Sequence, residues 1–173
     1  MNILKVNKEA GILCNHLEKM NRYTLLISSI AAIGGLLFGF DTAVIAGTLK
    51  YIQPLLNLSN AQLGVVVSAT SVGCIPGALF SGIIADRFGR KKILLLAAFF
   101  YVLSALGSAY SNSYTDLILF RFLGGVAIGM ASTLAPIYIS EISPASIRGR
   151  LGMLQQLAIV MGILLSYLSN YFI

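Results

Sequence analysis

Asp86-Arg87-Phe88-Gly89-Arg90-Lys91-Lys92 is a dense knot of charge in a chain of 173 residues that is only 10% charged and 57% hydrophobic. Long apolar runs flank it on both sides. A run of about 20 apolar residues is enough for a helix to cross the ~30 Å hydrocarbon core of a bilayer. The knot therefore reads as a short loop at a membrane face, and a basic loop of this kind belongs on the cytoplasmic side.

Working outward from this loop, five segments qualify as spans: Tyr23–Leu49, Ala61–Ala85, Ile93–Ala109, Leu117–Ser140 and Leu151–Phe172. Leu, Ile, Ala and Phe dominate them without alternation, which favours helices over a barrel. The mean hydropathy of +0.86 agrees with an integral membrane protein. Residues 1–22 are expected to be a cytoplasmic tail and 23–173 the membrane part. The tail does not read as a signal peptide, because it carries Glu9 and Glu18 and the apolar run after it is too long and lacks a cleavage site.

The net charge of +6 does not imply nucleic acid. Basic residues sit in loops and form no continuous face. Lys5, Lys8, Lys19 and Arg22 lie in the tail, Arg87, Arg90, Lys91 and Lys92 after span two, and Arg148 and Arg150 after span four; the alternate loops hold only Lys50. This asymmetry places the N-terminus inside. Cys14 and Cys74 lie in the tail and in a span, a poor arrangement for a disulfide. His16 is a lone tail histidine. With no intramembrane His or Cys cluster, no nucleophile–base pair and no phosphate loop, the chain reads as neither an enzyme nor a metal or cofactor protein.

Two charges fall inside spans: Asp41 in the first and Arg121 in the fourth. An intramembrane charge costs about 2.5–3.5 kcal/mol on insertion scales, so such residues face a cavity or each other. The depths of the two residues allow a pair across the helices. It has two readings: a structural ion pair, or a switch in which protonating Asp41 releases Arg121. On the first span Phe38, Thr42 and Ile45 share a face near Asp41. A ring and a hydroxyl beside a carboxylate suit a polar, non-ionic ligand with a carbon skeleton.

The run Gly82 to Lys92 resembles the loop signature of the major facilitator superfamily. Arg121, Gly124, Gly125, Gly129, Pro136, Tyr138, Glu141, Ser143, Pro144, Arg148 and Gly149, with the run Gly34–Gly47 and Gln155-Gln156, resemble the sugar porter family within it. The resemblance implies a bundle of twelve helices in two halves, each of inverted three-helix repeats, of which this chain carries five. It implies that Phe38, Thr42, Gln156, Ile159 and Ile163 contact sugar, with Gln156 foremost because its amide both donates and accepts. It implies that Asp41 and Arg121 couple protons, and that Asp86, Arg90, Glu141 and Arg148 form a cytoplasmic gate cluster. Gly89 suits a turn with a positive backbone angle. The expected partners are a monosaccharide or polyol, protons and the lipid bilayer of the cell membrane, with the full-length protein monomeric. Without the second half the chain is not expected to complete an alternating-access pathway. A drug or metabolite exporter of the same superfamily is opposed by Glu141, Arg148 and Gln156. A non-transporting five-helix scaffold fits the odd span count but not the polar groups inside spans one, four and five.

Overall fold

The computed structural model describes residues 29, 32–143 and 147–172. The expected tail, Cys14, His16 and the start of the first span lie outside the described residues, as does Pro144. Five long apolar helices make up the fold: α1 Ala32–Leu55, α2 Asn60–Phe88, α3 Arg90–Ala109, α4 Tyr114–Ile142 and α5 Arg148–Phe172. Each has the length and composition to cross a membrane. Large apolar side chains such as Leu79, Phe99, Val102 and Tyr167 stay exposed on their outer faces, as expected of helices whose solvent is not water alone.

Several helices run past the apolar limits read from sequence. The first continues through Lys50 and Gln53 to Leu55. A polar side chain near a membrane surface does not stop a helix; backbone geometry does. Here Asn57 adopts φ 51°, a left-handed conformation that Asn tolerates better than most residues. Ser59 then opens α2 with a capping box. Its backbone N–H donates to Gln62 Oε1 at 2.9 Å, and its hydroxyl accepts from the Gln62 N–H at 3.3 Å.

Gly89 alone links α2 to α3. Its φ of +91° is the positive angle expected of it. Its N–H donates to the Ala85 carbonyl at 2.9 Å, closing α2, while its own carbonyl accepts from Lys92 and Ile93, starting α3.

The α4 helix is the hub, packing against α2, α3 and α5. Its contact with α2 is built on glycine. Gly73 and Gly77 lie against the backbones of Phe122 and Val126, and Gly125 and Gly129 against those of Thr70 and Cys74. A second interface repeats this logic between α1 and α5. Gly35 and Gly39 meet the backbones of Gln155 and Ile159, and Gly162 meets those of Leu36 and Phe40. Small residues let membrane helices approach until dispersion between backbones holds them, where lipid offers no hydrophobic drive. Between α2, α3 and α4 a conventional core forms from Ala85, Ile93, Ala97, Met130 and Leu134.

Candidate functional site: an ion pair between two helices

Asp41 on α1 and Arg121 on α4 meet. Arg121 Nη1 donates to Asp41 Oδ1 at 3.1 Å. The side chains are 24% and 13% exposed, respectively. The guanidinium is not fully satisfied. Its Nε is buried with no hydrogen-bond partner among the described residues. A group held this way is responsive, because a change in charge on Asp41 alters the main anchor of a nearly buried cation.

The residues expected to contact sugar are divided by the fold. Phe38 is half-buried and lines a cavity of about 430 Å³ with Gly35, Tyr101, Ser132 and Gln155. Thr42 is exposed and donates back to the Phe38 carbonyl at 2.8 Å, leaving its oxygen free to accept. Gln156 is exposed, while Gln155 is buried at 8% exposure and lies beside Gly35. Ile159 is half-buried against Gly35 and Gly39, and Ile163 is half-buried one turn further along α5. Ile45, read onto one face with Thr42, turns inward to 8% exposure. Phe38 and Gln155 thus line the same cavity, and the polar groups of Thr42 and Gln156 are exposed outside it.

At the end of the bundle where α2 meets α3, Arg90 Nη2 lies 2.8 Å from Glu141 Oε1 and 3.4 Å from Asp86 Oδ1. The loop that ends at Gly89 and the end of α4 are therefore stitched together. Arg148 is not part of this stitch. It is exposed in the first turn of α5 and makes no ion pair among the described residues. Asp86 is 72% exposed, so its share of Arg90 is weak.

Two hydroxyls on α3 escaped the sequence reading. Tyr101 donates to the Leu37 carbonyl at 3.0 Å and Ser104 to the Phe120 carbonyl at 2.6 Å. Asn170 also bonds across, from Nδ2 to the Ala43 carbonyl at 3.4 Å. Each is a polar group in an apolar run, which signals the need for a hydrogen-bond partner but does not name it.

The family model described as "Sugar (and other) transporter" matches residues 27–173. The chain belongs to the sugar transporter family. Curated relatives in it include a glucose transport protein of Synechocystis sp., 50% identical over 152 residues, covering 88% of this chain and 32% of that protein. The arabinose-proton symporter of Bacillus subtilis is 44% identical, covering 86% and 32%. The D-xylose-proton symporter of Escherichia coli K12 is 39% identical, covering 87% and 36%. The chain thus spans about a third of the length of these relatives. Among solved structures, the major facilitator superfamily proton:xylose symporter XylE, bound to 6-bromo-6-deoxy-D-glucose, superposes with a TM-score of 0.83 at 37% identity, covering 88% of this chain and 38% of that one. The inward-open xylose transporter XylE from E. coli superposes at 0.80 and 38% identity, covering 87% and 40%. The five helices therefore have the fold of a sugar transporter of this superfamily.

Proposed function

We propose that this chain is the N-terminal part of a proton-coupled transporter of a monosaccharide or related polyol that works by alternating access. The Asp41–Arg121 pair carries this reading. It joins two different helices, it lies within the apolar length of both, and one of its members can take up a proton. Relatives named as proton symporters of xylose and arabinose support it. In this reading the protein sits in the cell membrane as a monomer. The basic loops and the N-terminus face the cytoplasm, and Phe38, Thr42, Gln156, Ile159 and Ile163 meet the sugar. The exposed side chains of Thr42 and Gln156 belong to the wall of the translocation path. The remainder of that path comes from chain beyond the five helices.

The test is uptake of radiolabelled xylose, glucose and arabinose by cells that lack their own carriers and express the full-length transporter. Medium pH is recorded alongside. Sugar-dependent alkalinisation supports symport, and uptake that ignores a proton uncoupler refutes it. In the same assay Gln156→Ala is expected to weaken sugar binding by about 1–3 kcal/mol, because sugar hydroxyls lose a neutral partner. Gln155→Ala is the comparison. A larger loss there assigns the contact to the cavity beside Gly35 instead.

Glu141 supplies a second expected outcome. If its bond to Arg90 latches the cytoplasmic side, Glu141→Gln slows transport. The bond is partly exposed, with Glu141 at 47%, so the initial rate falls by only about two- to fivefold, the worth of a surface ion pair. Initial uptake rates at matched expression decide this, and an unchanged rate reduces the bond to a solvated contact.

A further inference from the structure

The helix α3 carries no charge in its apolar length, yet it touches both helices that carry the ion pair. Tyr101 reaches α1 at the Leu37 carbonyl, 3.0 Å away. In an α-helix that carbonyl also receives the N–H of the residue four places on, which is Asp41 itself. Ser104 reaches α4 at the Phe120 carbonyl, 2.6 Å away, one residue before Arg121. Tyr101 and Ser104 are three residues apart, so they share a face of α3. Room for Ser104 is made by Gly124, where a Cβ would meet the Ser104 hydroxyl at 2.5 Å.

From this juxtaposition we infer that Tyr101 and Ser104 form a bracket on α3 that sets how Asp41 and Arg121 face each other. They are positioning residues for the proton-coupling pair, and this role rests on the symport reading above. Neither touches the pair through its hydrogen bond. Each pins the backbone turn from which one member projects. A salt bridge formed by one Nη1–Oδ1 contact at 3.1 Å tolerates little sliding before the bond fails. Near Asp41, α1 is also held to α5, where Gly39 lies on the Ile159 backbone and Asn170 bonds to the Ala43 carbonyl. The charge that faces Asp41 is Arg121 on α4; Tyr101 on α3 and the Cys74 thiol on α2 stand near it as neutral groups, and α5 brings the uncharged Asn170, bonded to the Ala43 carbonyl. The bracket is thus the polar element beside the pair that is neutral and anchored to backbone on both helices.

The test uses the full-length transporter in vesicles, with protons moved per sugar and sugar counterflow measured on the same preparation. In Ser104→Ala, protons per sugar fall by about three- to tenfold, the factor one neutral hydrogen bond is worth, while counterflow stays within about twofold. Tyr101→Phe lowers coupling in the same direction, and Ser104→Thr, which keeps the hydroxyl, behaves as wild type. The set also includes Asp41→Asn, alone and combined with Tyr101→Phe. Coupling and counterflow that fall together overturn the bracket, since general packing does that. Unaltered coupling in Tyr101→Phe overturns it as well. A wild type that moves sugar without protons refutes symport separately. The bracket is then decided by thermal unfolding of the wild type, the two single variants and the double variant. A smaller cost of Tyr101→Phe in the Asp41→Asn background supports it, and equal costs in both backgrounds overturn it.

Discussion

Asp41→Asn in the full-length transporter is expected to abolish accumulation of sugar against a gradient while sugar exchange persists. Asn matches the shape of a protonated Asp and cannot ionise, so it holds the pair in its neutral form. Its carbonyl still accepts from Arg121 Nη1, which in the native chain lies 3.1 Å from Asp41 Oδ1. Asp41 is the carboxylate that the described residues of α1–α5 hold within the apolar length of a helix, so these helices offer no substitute carrier for the proton. A purely structural pair gives a different result. Breaking a buried pair by removing one charge costs about 3–5 kcal/mol, so folding and binding then fail along with transport. Solvent access to Asp41, at 24% exposure, lowers that cost. Counterflow, proton uptake and detergent-solubilised yield measured on one variant separate the two. Persisting sugar-driven proton uptake sinks the coupling role.

Gly129→Leu is expected to yield no folded protein. A Cβ at Gly129 would run into the Cys74 carbonyl and come within 2.9 Å of the Ala78 nitrogen. Both are backbone atoms of α2, and neither moves without the helix. Even Gly129→Ala should cost about 1–3 kcal/mol, the range for overpacking a well-filled interior. Gly64, on α2 but with nothing within 4 Å of the place a Cβ would take, is the control. Gly64→Ala is neutral or stabilises by about 0.4–1 kcal/mol through the unfolded chain. Thermal unfolding of the purified variants reads both, and a Gly129→Ala protein as stable as wild type would show that α2 and α4 can part without penalty.

The five spans and their order were legible because each is an uninterrupted apolar run bounded by charge or turn residues. The pairing of Asp41 with Arg121 was legible for the same reason: two opposite charges stranded in such runs have few other ways to be satisfied. The helix ends were not. Lys50 and Gln53 look like the end of a span, but the helix stops only at the backbone turn around Asn57 and the cap at Ser59. That cap was present in the sequence as Ser59 followed three residues later by Gln62. The facing of Gln155 and Gln156 could not be read either. Adjacent helical residues point about 100° apart, and only the seating of Gly162, Gln155 and Ile159 on the glycines and backbone of α1 decides which amide turns inward. Tyr101 and Ser104 are the clearest case. A hydroxyl in an apolar run announces a need for an acceptor, but its acceptor here is a main-chain carbonyl on another helix, and every residue has one of those.

The link between α2 and α3 has no slack. Leu56 to Ser59 and Tyr110 to Ser113 give the two turns at the opposite end of the bundle several residues of spare length, whereas Phe88 and Arg90 both belong to helices and Gly89 is shared between them. An added residue at this corner can be absorbed only by unwinding one helix or by swivelling α3 about its axis, and a swivel carries Tyr101 and Ser104 away from their carbonyls. This corner is therefore the wrong place for an epitope tag, a protease site or a circular permutation. Natural length variation should gather at the opposite end of the bundle, where the turns can lengthen without transmitting torque to the pair.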